Sequence, residues 1–139
     1  MRLSRAAAAS ALLFVLAVVW NGLLHLVILR RANQPLQSLR RTDLSSPVSL
    51  SLAVTAGVCL LFVWGYSHFA RTGTLREGLA YGFFMGVFAA LLVDLNQYLL
   101  YPLPFTLVLK WFVGGVLEFT FYGGVLSRFF PVRRTGGGA

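Results

Sequence analysis

Four long apolar blocks, separated by short polar breaks, organise the whole chain. An α-helix needs about 20 largely apolar residues to cross the hydrocarbon core of a bilayer. The blocks predict helical spans over residues 6–29, 48–70, 75–101 and 105–127. Helix is the only sensible form, because an open sheet would strand backbone N–H and C=O groups in lipid. Membrane barrels alternate apolar and polar residues in segments of about ten, and that pattern is missing. The expected fold is all-α, a single polytopic membrane domain built as a four-transmembrane-helix bundle. A polar loop over 30–47 and an unstructured tail over 131–139 complete it.

Local signals at the breaks agree with these limits. Ser46 before Pro47 reads as an N-cap followed by proline in the first turn. Thr74-Leu75-Arg76-Glu77 fits a capping box, which gives Glu77 a structural task at the start of the third span. Tyr101-Pro102-Leu103-Pro104 breaks the helix and predicts a very short hairpin turn, and Pro131 closes the last helix. Met1-Arg2-Leu3-Ser4-Arg5 and the apolar run after it resemble a secretory signal peptide. The run passes twenty residues without an A-x-A site, so a retained anchor is expected. In the first loop, Leu36, Leu39 and Leu44 among Arg40 and Arg41 suit either a short surface helix or a solvated basic loop.

Composition strengthens the membrane reading. Of 139 residues, 58% are hydrophobic and 12% charged, and mean hydropathy is +0.76. Soluble domains carry about 25% charged residues. The net charge of +8 would suggest nucleic acid in a soluble protein. Here most arginines sit between apolar blocks, where lipid head groups are the natural partners, so no nucleic-acid partner is expected. Seven Lys and Arg flank the spans on the side of the termini and second loop, against five on the other. That balance favours cytoplasmic termini, and its evenness also admits insertion in both orientations. Cys59 is the single cysteine, placed to pack as a small hydrophobe, and no metal-ligand or cofactor motif occurs.

Ionisable groups inside a span are costly and therefore functional candidates. At 1.5 Å per residue, Asp94 lies about 10 Å and Lys110 about 7 Å from the same membrane face. A hairpin folded at Pro102-Leu103 would let them form an ion pair. Asn21 and His25, four residues apart on one helix face, enter the same leaflet. Ser51, Thr55, Asn96 and Gln97 add to a polar layer there, which could bind a solute or merely fix helix order. Glu118 is placed about 20 Å deep, near the midplane, with no basic residue at its level. It could serve as a hydrogen-bonded clasp or exchange a proton with a passing solute. His68 lies about 25 Å from His25, too far to share one haem iron.

Small residues mark close helix approach. Gly78, Gly82, Gly86 and Ala90 recur every four residues in the third span. Ala53, Gly57 and Gly65 mark the second, while Gly114, Gly115, Gly123 and Gly124 flank Glu118 in the fourth. Such faces could meet within the chain, in a homo-oligomer, or on another membrane protein. Trp111, Tyr98 and Tyr101 on one side, with Trp64, Tyr66 and Phe129 on the other, read as interfacial belts.

No G-x-S-x-G, P-loop, H-E-x-x-H or dinucleotide signature occurs, so no catalytic residues are assigned and no enzyme is expected. Two classes remain. One is a small oligomeric transporter or channel-like protein using Glu118, Asp94 and Lys110. The other is an accessory or assembly subunit of a larger membrane complex. The segment REGLAYGFFMGVFAALLVDLNQYLLYPLPFTLVLKWFVGGVLEFTFYGGVLSRFF, with its glycine row, VDLNQY and KWFVGG, resembles small four-span bacterial membrane proteins of unassigned function. The resemblance implies a bacterial inner-membrane protein and carries no site residues. The small multidrug transporters share the four-span plan and one intramembrane carboxylate, but theirs lies in the first span, where this chain has no acid.

Overall fold

A computed structural model of the chain describes residues 3–39, 42–43 and 47–130. Four helices long and apolar enough to cross a membrane run over Leu3–Ile28, Pro47–Phe69, Leu75–Leu100 and Phe105–Phe129. The protein is an all-helical, multi-pass membrane bundle. The expected Ser46 cap, the Pro131 stop, Leu44 and the tail over 131–139 lie outside the described residues.

Two of the spans are not uniform α-helix. The first runs as α1 (Leu3–Asn21) and continues as a π-helical segment, Gly22–Ile28. The second is α2 (Pro47–Phe69). The third starts as α3 (Leu75–Ala90), widens to a π segment over Leu91–Leu95, and ends as α4 (Asn96–Leu100). The fourth is α5 (Phe105–Phe129). The described part of the first loop holds a short 3-10 turn over Gln34–Leu39 rather than a longer surface helix.

Glu77 performs its structural task more broadly than a capping box requires. Thr74 Oγ1 accepts from the Glu77 N–H at 3.3 Å. The Glu77 carboxylate accepts from the backbone N–H groups of Arg71, Thr72 and Gly73 at 2.6, 2.9 and 2.6 Å. It also accepts from the Thr72 hydroxyl at 3.0 Å. Gly73 permits this wrap by adopting φ 60°, which an L side chain resists. At the third loop, the Leu103 N–H donates to the Tyr101 carbonyl at 2.7 Å, closing the tight turn.

The third span and α5 form the tightest pair, α1 packs on α2, and thinner contacts of α1 and α2 with α5 join the pairs. The glycine row explains the first pairing. A Cβ at Gly78 would overlap the Gly123 carbonyl, and one at Gly82 the Phe119 carbonyl. One at Gly86 would press on Val116 Cα at 2.9 Å. The row therefore faces α5 of the same chain, because only missing side chains let two backbones approach so closely. Gly114 faces Leu24 of the first span instead, and Gly115 has nothing within 4 Å of a Cβ.

The hydrophobic core sits towards the chain-termini end of the bundle. Ala9, Leu13 and Ala17 of α1 meet Cys59, Phe62, Val63 and Tyr66 of α2 and Tyr122 and Leu126 of α5. Outward positions such as Val15, Leu61, Phe84 and Phe121 stay exposed, as lipid-facing residues do. Tyr66 departs from the expected aromatic belt, since it is fully buried against Tyr81 and Phe130. Trp64 stays exposed and its ring lies 4.3 Å from His68.

Candidate functional site

Towards the opposite end, where the first and third loops lie, the packed core gives way to a cavity of about 470 Å³. All four spans line it. Asn21, Leu24 and His25 come from the first, and Thr55, Val58 and Cys59 from the second. Val93, Asp94 and Gln97 come from the third, and Trp111, Gly115, Glu118 and Tyr122 from α5. Two local features keep this space open. Gly86, Ala89 and Gly115 present almost no side chain to it. Both π segments border it, one carrying His25 and the other Asp94. A π turn widens the helix and re-aims its side chains, and such turns concentrate at functional sites.

Glu118 is held rather than unpartnered. Its Oε1 accepts from the Tyr122 hydroxyl at 2.5 Å and from Asn21 Nδ2 at 3.0 Å. Tyr122 follows Glu118 by one helical turn, the i, i+4 spacing that places two side chains together. Asn21 also donates to the Ala17 carbonyl at 2.9 Å, which fixes its amide. Glu118 Oε2 is left without a protein hydrogen bond among the described residues, and the residue as a whole is buried.

The contact between Asn21 and Glu118 joins the acid, expected apart near the midplane, to the polar layer that Asn21 and His25 begin. Beyond the first span Leu29 is buried, and Asn33 of the first loop reaches Trp111.

The Asp94–Lys110 ion pair is not formed. Asp94 lines the cavity, whereas Lys110 is exposed and outside it. On α5 the cavity face is set by Trp111, Gly115, Glu118 and Tyr122. Lys110 precedes Trp111 by one residue, about 100° around the helix, and so falls off that face. Among the described residues the Asp94 carboxyl has neither an ion pair nor a hydrogen bond, and Asp94 is half-buried within a largely exposed segment. Of the remaining polar positions, Thr55 and Gln97 reach the cavity, while Ser51 and Asn96 stay exposed outside it.

Asn33 is the residue that sequence reasoning missed. Its Oδ1 accepts from Trp111 Nε1 at 3.2 Å. An indole N–H can only donate, so this contact fixes which end of the Asn33 amide is oxygen. The Nδ2 end then donates to the His25 carbonyl at 3.2 Å and points at His25 Nδ1, 3.4 Å away. With Nδ1 as the acceptor, this contact corresponds to the Nε2–H tautomer of the ring. The three side chains form a latch between the first loop, the first π segment and α5. Trp111 is thus turned inward rather than serving only as an interfacial anchor, and its ring lies edge-on to His25 at 6.2 Å.

No group of three or more potential metal ligands occurs among the described residues. No protein-family model, curated protein or solved structure matches the chain.

Proposed function

We propose that this protein is a small membrane transporter or channel-like protein whose solute site is the four-helix cavity, with Glu118 and Asp94 as its charge-handling groups. The observation that carries this reading is the lining contributed by all four spans: among the described residues it holds two carboxyl side chains and no Lys or Arg. Acids are retained in a membrane domain at a cost, and here both turn towards a space of small-molecule size. Lys110 has no part in the site on this reading. The glycine row of α3 supports it as well. That row is covered by α5, which takes one of the glycine faces away from the accessory-subunit alternative, while Gly57 of α2 stays open.

In the expected orientation, with both termini in the cytoplasm of a bacterial cell, the cavity lies towards the outer face of the inner membrane. Reconstitution in liposomes tests the proposal. Solute-dependent uptake or proton flux is expected with the wild-type chain and lost in Glu118→Gln, which keeps the side-chain shape. Full activity in the Gln protein would remove Glu118 from the mechanism, and silence of the wild-type protein towards every solute class would remove the proposal.

A further inference from the structure

We infer that the ligand of this cavity is a lipophilic organic cation, an amine or onium compound carrying apolar or aromatic groups. The inference rests on the cavity being a solute site, as proposed above, and names the chemistry it selects.

Charge comes first. Among the described residues Asp94 has no protein partner and Glu118 leaves Oε2 without one, so acceptor capacity on two acids faces one space. Among the described residues, no Lys or Arg lines that space. The imidazole there turns Nδ1 towards Asn33, whose amide orientation is set by Trp111. An anion would meet two carboxyl groups without compensation, and a neutral polar solute would leave their charge unanswered in a low-dielectric site. A cation answers both.

Shape and polarity narrow the class. Apart from the acids and a few amide and hydroxyl groups, the walls are aliphatic and aromatic. Trp111, Phe119 and Tyr122 supply π faces or edges near the acids, and aromatic rings attract a desolvated cation. A bare metal ion lacks the oxygen cage that it needs, since among the described residues no three acids or other ligands converge. A cation that carries its own apolar surface matches both kinds of wall, and a volume of about 470 Å³ suits a small organic molecule.

The test is binding to the purified full-length chain in nanodiscs, against empty nanodiscs. Benzyltrimethylammonium and tetraphenylphosphonium serve as cations of two sizes, with tetraphenylborate as an anion shaped like the second. Saturable binding of at least one cation is expected, with no tetraphenylborate binding above the empty discs. Asp94→Asn should weaken the cation by about tenfold, the size of one lost charge contact of 1.4 kcal/mol, without lowering the melting temperature. Binding of neither cation, equal binding of the anion, or an undiminished affinity in Asp94→Asn overturns the inference. The liposome assay keeps the two proposals apart. Cation binding without flux preserves the ligand class and removes transport, whereas flux of an anion without cation binding does the reverse.

Discussion

The two ends of the bundle follow opposite packing rules. At the termini end, α3 and α5 touch backbone to backbone over Gly78, Gly82 and Gly123. There Leu13, Tyr66 and Leu126 are completely buried. At the loop end no residue of either π segment is buried, and polar side chains from four spans share a cavity. The same α5 serves both ends, with small residues making contact in one half and making room in the other. Rigidity is concentrated away from the polar groups, so a site can be left open without loosening the fold.

The sharpest way to break that comparison is to exchange glycines. Gly82→Leu should prevent folding or cost about 3 kcal/mol or more, because its side chain would enter the α5 backbone. Gly115→Ala, in the open half, should leave the melting temperature unchanged or raise it, since its Cβ meets nothing and alanine favours helix by up to about 1 kcal/mol. Thermal unfolding in mild detergent compares the two; equal losses would abolish the distinction between the ends.

Core truncation comes next. Leu126→Ala, at a fully buried position, should lower stability by about 2–5 kcal/mol. Val58→Ala, which borders the cavity and is 43% exposed, should cost far less. Glu77→Ala should then remove about 1–2 kcal/mol by freeing the N–H groups of Arg71, Thr72 and Gly73. Faster hydrogen exchange confined to the second loop would locate that loss. The smallest change belongs to Tyr66→Phe. The Tyr66 hydroxyl is buried with no hydrogen-bond partner among the described residues, so its removal should be neutral or stabilising, within about 1 kcal/mol.

The sequence makes the scaffold more legible than the site, for physical reasons. The expected 75–101 and the observed Leu75–Leu100 nearly coincide, because hydropathy and the Thr74-to-Glu77 cap both act locally. The expected spans 6–29 and 105–127 likewise fall within a few residues of Leu3–Ile28 and Phe105–Phe129. Asn21, His25, Asp94 and Glu118 could be nominated because polar groups in apolar blocks are conspicuous. Their arrangement could not be read off, since it depends on rotation around each helix and on where the first span ends. Lys110 and Trp111 are neighbours in sequence, yet only Trp111 faces the cavity. The Glu118–Tyr122 bond was within reach of i, i+4 spacing, whereas Asn33 carries no signal that separates it from any other loop amide.

The π segment over Leu91–Leu95 gives the third span an unusual relation between length and direction. In a uniform α-helix, losing a residue shortens the rod and turns everything beyond the deletion by about 100°. Here one residue can be absorbed by tightening the wide turn into an ordinary one, so α4 would keep its heading and the short turn to α5 would survive. What would vanish is the outward swell that carries Asp94 to the cavity. Evolution can thus add or delete a cavity-lining carboxyl at this point by a single-codon insertion or deletion, leaving the membrane topology intact.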